Sequence, residues 1–543
     1  MFINKLLSSF TEEKMQTEKR SRRELLKYLI SGVVGIGIGY SAGILTRAPE
    51  VKYLTTTQTT TVTRTETVSA SPVTTPTAWS LKEAARPYRG ASIRIIGEFL
   101  PPLEAVAKLK DQFEEETGIT VEVEMYEHTE VVAKVTFDLS AGAGIYDVIL
   151  NPHREIGKLA ENGWLVPLNK YLSNPALTPP GFDPYNEFWK GVTGTFRGIK
   201  LNKGIFGEIC DYKGTIYGLP DKTITRHLWY RKDLWNDPTH KEKVKDKYGF
   251  DIPSPWDLTT DQYMKLAEYF TNPGSKFPQV EYGTCIEGKR HPALWYSYLD
   301  WLHAFGGQVI DQASGDEYGK VVINEKEGID ALQYMVDLLP YCPPGTLSYF
   351  WDDAMAAMQQ GLVSHTIMWN DATFAYVDPS VSRVAAELGA RNACGFGPVP
   401  LHPEKRLKIF QVEGWYAGIP HSSKNKEAAW LFMIWMTSPM IELEKHLKGG
   451  ATGRPDVAKK IVEEFDKLEA EGRMIPGVEL YTEVAYRLYT TYQYIPKPTF
   501  PEQETMVEII IEAVSKALTK ELSPKDALDW AAEQMKEKIP KLS

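Results

Sequence analysis

The sequence has little of what carries the most recognisable chemistry. Only four cysteines occur in 543 residues, Cys210, Cys285, Cys342 and Cys394. No two are near neighbours, which excludes a zinc ribbon and a CxxC redox motif. Three disulfide pairings, or four buried thiols, stay open on the sequence alone. There is no GxxxxGK[ST] loop, no HExxH pair and no Cys/His cluster at metal spacing. Asn-x-Ser/Thr sequons are absent, so N-glycosylation is not expected. No two tyrosines are adjacent, which weakens a ferric-ion reading. No repeat of 20 to 50 residues is present. Positive charge is not in excess: 61 Lys and Arg against 71 Asp and Glu give a formal charge of -10. A phosphate-binding surface needs the opposite balance, so nucleic acid is not an expected partner. The one Gly-x-Ser-x-Gly string, Gly39-Tyr40-Ser41-Ala42-Gly43, lies in an apolar run where a nucleophile elbow cannot form.

What is present begins with the amino terminus. Residues 1–27 are basic, with Lys14, Lys19, Arg20, Arg22, Arg23 and Lys27, and residues 28–45 carry no charge. That stretch is close to the length a bilayer-spanning helix needs. Its basic flank predicts a cytoplasmic start and an extracytoplasmic body. The junction Ser21-Arg22-Arg23-Glu24-Leu25-Leu26-Lys27 resembles the twin-arginine export signal. Residues 46–90 include a tract rich in Thr with Pro72 and Pro76, which cannot bury a core and is expected to be a disordered stalk. The expected location is the outer face of the cytoplasmic membrane, with the body tethered by the helix.

From Ser92 the pattern is α/β. Ile93, Ile95 and Ile96 predict a strand. Val106, Leu109 and Phe113 predict a helix stopped by Gly118, and Val121, Val123 and Met125 alternate as a second strand. A helix bearing Val132, Val135 and Leu139 then stops near Gly142, before a third strand at residues 147–150. Such a β-α-β-α-β series implies parallel strands with right-handed crossovers, and ligands bind beyond their carboxyl ends. That points to Asn151, His153 and Arg154. Later, Asn425 reads as the N-cap of an apolar helix, and Ser523 with Asp526 opens the last one.

Several segments occur in an order that carries a resemblance. They are Phe113-Glu114-Glu115-Glu116-Thr117-Gly118, Ala141-Gly142-Ala143-Gly144-Ile145-Tyr146-Asp147-Val148, Gly163-Trp164-Leu165-Val166-Pro167-Leu168, Gly214-Thr215-Ile216-Tyr217-Gly218-Leu219-Pro220, Leu228-Trp229-Tyr230-Arg231, Pro255-Trp256-Asp257, Phe305-Gly306-Gly307 and Glu413-Gly414-Trp415-Tyr416-Ala417-Gly418. In this order they resemble the carbohydrate-binding, maltose-binding-protein-like (family 1) branch of the extracellular solute-binding proteins of ABC importers. The resemblance implies a class II, periplasmic-binding-protein-like two-lobe fold with hinge strands near residues 221–226, 411–415 and 450–455. It would assign residues 91–224 and 415–451 to lobe I, and 225–414 and 452–543 to lobe II. It also implies lobe closure around a ligand.

The implied function is capture of a sugar or oligosaccharide for ABC permease subunits, by a monomer with no cofactor and no enzymatic step. The alternatives are a non-sugar polar or anionic solute, or a secreted carbohydrate-active enzyme. The 14 Trp and 28 Tyr suit a sugar, because each ring pairs an apolar face with a polar edge. By family position the candidate ligand contacts fall in four regions: Asn151, His153 and Arg154; Glu287, His291, Trp295 and Tyr296; Trp369 and Asn370, with Asp371 beside them; and Glu413, Gly414 and Trp415. Arg454, near the third crossing, is added to these. Trp369 follows an apolar strand where relatives stack a Trp on sugar. Gly414 is expected to let the backbone approach a ligand.

Overall fold

A computed structural model describes residues 79–543 except Asn202 and Lys497. The expected twin-arginine motif, the membrane helix and most of the stalk lie outside the described residues. No helix among the described residues is long and apolar enough to cross a membrane. Of the stretch assigned to the stalk, residues 79–90 are part of the folded body. Ser80 caps a helix at Leu81–Ala85, and Ala84 and Ala85 are buried in the core.

The strand-helix alternation read from Ser92 onward forms as three strands, Ser92–Glu98, Thr120–Tyr126 and Val148–Pro152. Between them run the helices Pro101–Thr117 and His128–Ala141. Each helix ends on a glycine in the left-handed region, Gly118 at φ 71° and Gly142 at φ 60°, a conformation a side chain would strain. The three strands pair in parallel, with Ile95 opposite both Val123 and Val148. Val148–Pro152 is buried along its whole length, as a central parallel strand covered on both faces must be.

The sheet is completed by two strands from far along the chain. Its order is Thr120–Tyr126, Ser92–Glu98, Val148–Pro152, Glu413–Gly418, Gly218–Ile224. Glu413–Gly418 runs antiparallel to both neighbours, so the sheet is mixed rather than purely parallel. A second sheet has three antiparallel strands, ordered His365–Trp369, Arg226–Arg231, Cys394–Gly397. Successive side chains of a strand face opposite ways. Accordingly Leu228 and Tyr230 enter one core with the helices Pro292–Ala304, Lys326–Leu338 and Gln503–Leu518, while Trp229 enters the core shared with the first sheet.

Thr225 alone separates Gly218–Ile224 of the first sheet from Arg226–Arg231 of the second. It is fully buried, and its backbone exchanges two 3.0 Å hydrogen bonds with Asn370, one through the Asn370 side chain and one through its N–H. The return path runs from Cys394–Gly397 to Glu413–Gly418. On the way, Ile409–Gln411 pairs in parallel with Gln493–Ile495. A third segment, residues 450–454, lies against the first crossing, with Thr223 N–H donating to the Ala451 carbonyl at 3.2 Å. The described body therefore has two α/β lobes, one on each sheet, joined at a waist where these three segments cross.

Two local readings are refined. Asn425 occupies the N-cap position of Lys426–Met436 but does not cap it; its amide donates to the Ser92 carbonyl at 3.0 Å and lies 3.4 Å from Asp147. All four cysteines are buried free thiols. Burial pushes the Cys285 thiol up to about 12, which makes it an inert core residue.

Candidate ligand-binding site

The carboxyl ends of the first-sheet strands and the waist open on a cavity of about 290 Å³. The first lobe supplies Glu98, Phe99, His128, Arg154, Lys222, Glu413, Gly414 and Trp415 to its lining. The second supplies His291, Tyr296, Phe350, Trp351, Met355, Trp369, Asp371 and Phe374.

Charged groups form a continuous chain along one side. Glu504, on the helix Gln503–Leu518, pairs with Arg154 Nε at 2.7 Å. Arg154 Nη2 lies 3.3 Å from His128 Nε2, and His128 Nδ1 lies 2.8 Å from Glu98. Lys222 Nζ then donates to Glu98 at 2.8 Å and to Asp371 at 3.0 Å. An arginine can only donate, so His128 must accept at Nε2 and carry its proton at Nδ1. The chain leaves the second lobe at Glu504, crosses the first, and returns to the second at Asp371.

Its electrostatics follow from burial and pairing. Burial alone would raise the Glu98 carboxyl, but Lys222 and His128 outweigh it and hold it at about 2. Burial opposes the Lys222 charge, yet Glu98 and Asp371 raise its pKa. Arg154 is likewise buried and held charged by Tyr296 and Glu504. Both cations lining this chain thus have anionic partners already.

The aromatic groups are positioned by their own contacts. Trp369 ends the strand His365–Trp369; Tyr296 meets its ring edge-on at 4.8 Å, and the Arg226 guanidinium lies 4.8 Å over it. Arg226 is fixed in turn by Glu287 and Asp300, each at 2.6 Å. Burial pushes Asp300 up to about 6, against the pull of Arg226. Trp415 meets His128 edge-on at 5.4 Å, with Lys222 Nζ 5.1 Å over its ring.

The residues singled out from the sequence divide by position. Arg154, His291, Tyr296, Trp369, Glu413, Gly414 and Trp415 line the cavity. Trp295 is the helical neighbour of Tyr296; one residue rotates the helix by about 100°, and Trp295 is buried in the second-lobe core. Glu287 sits behind Trp369, bound to Arg226 and to the Ser297 hydroxyl at 2.9 Å. His153 is buried with Nδ1 3.3 Å from the Gly414 carbonyl and 3.4 Å from Glu413. Asn151 is buried in the sheet opposite Tyr416, and Asn370 binds the crossing at Thr225. Arg454 pairs with Glu187 and with Asp456, away from the lining.

Gly414 lines the cavity, but the approach that demands a glycine is internal. A Cβ there would meet Ile209 Cδ1 at 2.6 Å and the Lys222 carbonyl at 2.8 Å.

Glu98, His128 and Lys222 went unnoticed as contacts in the sequence, whereas Asp371 was placed at the cleft with Trp369 and Asn370, and it lines the cavity. Glu98 ends the first strand, where the same carboxyl-end rule that selected Arg154 applies. Lys222 lies within the expected hinge, and Asp371 follows Trp369 and Asn370.

Two α/β lobes, joined by hinge strands around a lined cleft, define the class of two-lobed binding proteins. The chain belongs to the bacterial extracellular solute-binding protein family, which it matches over residues 100–442. It is 26% identical over 318 residues to the mannitol-binding protein of Pseudomonas aeruginosa, covering 56% of this chain and 59% of that protein. It is 23% identical to the erythritol/L-threitol-binding protein of Mycolicibacterium smegmatis, covering 68% and 71%. Among solved structures, an ABC transporter solute-binding protein of Agrobacterium radiobacter in complex with ribitol shares the fold at a TM-score of 0.63 and 21% identity, over 83% of this chain and 99% of that one. Maltose-bound MalE3 of T. maritima does so at 0.60 and 23%, over 83% and 100%.

Proposed function

We propose that this protein is the substrate-binding component of an ABC importer and that its cavity takes an uncharged, polyhydroxylated solute, a sugar or a polyol. The observation that carries this reading is the division of the lining. Aromatic faces from Trp369, Trp415, Tyr296 and Trp351 suit the C–H side of a sugar or polyol chain. The carboxylates and donors of the ion chain suit its hydroxyls. Arg154 and Lys222 already have carboxylate partners, so an anionic solute would compete with Glu504, Glu98 and Asp371. The alternative of an anionic solute also loses Arg454, which stands outside the lining. The volume is at the low end of the range of about 300–1,000 Å³ usual for small-molecule sites, which favours a monosaccharide, a disaccharide or a polyol over a long oligosaccharide. Relatives named for mannitol and erythritol and neighbours bound to ribitol and maltose support the same solute class, whereas a relative in Sinorhizobium fredii, 22% identical over 384 residues, is named a probable amino-acid ABC transporter periplasmic-binding protein, which makes an amino acid the alternative to test.

In this reading the protein performs no chemistry. It works as a monomer, closes on its solute and presents the closed form to membrane permease subunits. Residues 28–45 tether it to the outer face of the cytoplasmic membrane after export through the twin-arginine route. Replacing Arg22 and Arg23 together by lysine should leave the chain in the cytoplasm; undiminished export would remove that route.

Trp351, Trp369 and Trp415 line the cavity, so solute capture should change intrinsic tryptophan fluorescence with a saturable dependence on sugar or polyol concentration. A flat response to mannitol, ribitol, erythritol, maltose and common hexoses would defeat the solute assignment.

A further inference from the structure

His291 stands at the N-cap of the helix Pro292–Ala304, and its Nδ1 accepts the Ala293 N–H at 3.3 Å. That bond fixes the tautomer. With Nδ1 used as an acceptor, a neutral ring carries its proton on Nε2. The Nε2 atom is buried and has no hydrogen-bond partner among the described residues. The ring lines the cavity, held edge-on to Phe350 at 4.2 Å and to His128 at 5.7 Å. Neutrality is favoured by what surrounds it: burial first, then His128, Arg154 and Lys289, with Glu127 opposing, bring its pKa down to about 4. The neighbouring His128 is in a different condition, since both of its ring nitrogens are engaged, with Glu98 and with Arg154.

A buried N–H left unpaired costs about 1–3 kcal/mol, so a ligand oxygen that accepts from it is selected over a group that cannot. Resting on the solute class proposed above, we propose that His291 is a specificity-determining residue: its Nε2–H is a preset neutral donor that accepts only a solute presenting an oxygen lone pair there, such as a hydroxyl, ether or carbonyl. Because the donor is neutral, it rewards an uncharged oxygen without calling for an anion. The ring thus does two separable jobs, one nitrogen ending the helix and the other reading the solute.

Those jobs come apart by substitution. In His291→Asn the Oδ1 can still accept the Ala293 N–H, since Asn is among the best N-caps, but nothing reaches the Nε2 position. In His291→Gln the amide nitrogen reaches toward the Nε2 position while the cap is lost. The probe is titration calorimetry of the full chain with mannitol, ribitol, erythritol and maltose, paired with thermal melts. The expected result is that Asn keeps the melting temperature within a few degrees and weakens binding about 10-fold or more, whereas Gln melts lower and retains affinity within about 3-fold. Equal affinity of wild type and the Asn variant for a compound that binds would overturn the donor role and leave the solute reading standing. If none of the compounds binds the wild type, by heat or by tryptophan fluorescence, the solute reading falls and takes this inference with it.

Discussion

The two lobes bring different chemistry to the same cavity. The first is built on a five-stranded sheet, and the carboxyl ends of its strands deliver charge: Glu98, Arg154 and Lys222, with His128 between them. The second is built on three antiparallel strands and delivers mostly rings and apolar groups: Tyr296, Phe350, Trp351, Met355, Trp369 and Phe374. The division is one of weight, since Trp415 adds a ring to the first surface and Asp371 and His291 add polar groups to the second. A solute that needs both is enclosed only where the lobes meet, which ties occupancy to their relative position. Lys222–Asp371 and Arg154–Glu504 cross between the lobes, so the charged side also contributes to holding them together.

The largest effect should come from breaking the charged side. Lys222→Met leaves Glu98 and Asp371 without their shared cation, and loss of one partner of a buried pair costs about 3–5 kcal/mol. A denaturant melt should register most of that loss; a fall below about 1 kcal/mol would mean that the chain does not hold the lobes. The ring side should be gentler on stability and harsher on binding. Trp369→Ala should weaken sugar or polyol affinity about 10- to 100-fold, from the roughly 1.5–3 kcal/mol of a buried aromatic face, with the fold intact by circular dichroism. Unchanged affinity would take Trp369 out of the site.

Acid should act in two windows. Glu98 has its folded pKa depressed to about 2, so its stabilising contribution is complete above the unfolded value of about 4.3 and is lost as pH falls toward 2. His291 has its folded pKa depressed to about 4. Below the unfolded value of about 6.5 the unfolded chain takes up the proton first, so stability falls as pH drops from about 6.5 to 4. The buried His227, His365 and His446, each held down at about 3, act over the same upper window, so His291→Asn should remove only its own share of the slope there. A slope unchanged in the variant would leave the whole loss to those three histidines. The smallest effect should follow Arg454→Ala. Its partners are Glu187 and Asp456, and solute affinity should stay within about 2-fold.

Local features of the fold were legible because they depend on local physics. The alternation of Ile93, Ile95, Val121 and Val123 and the stops at Gly118 and Gly142 need only neighbours in sequence, and they read correctly. The insertion of Glu413–Gly418 between Val148–Pro152 and Gly218–Ile224 depends on pairing across hundreds of residues, and only the resemblance pointed to it. The site divides the same way. Trp369 and Trp415 were found from their order along the chain. The rotation that sends Tyr296 to the cavity and Trp295 to the core depends on how one helix is seated. Glu98, His128 and Lys222 come from three separate segments and join Asp371 only as a hydrogen-bonded chain, which no single stretch of sequence displays. Glu287 was expected at the solute because carboxylates bind hydroxyls, but the buried Arg226 claims it.

The most direct test is the melting temperature of the purified protein across one panel containing uncharged sugars and polyols, amino acids and inorganic anions. A solute at about 100 times its dissociation constant stabilises the folded chain by about 2.7 kcal/mol, so a true ligand gives a shift of several degrees. The account predicts that shift for at least one uncharged sugar or polyol and none for the charged compounds. A shift produced by charged solutes alone would contradict it.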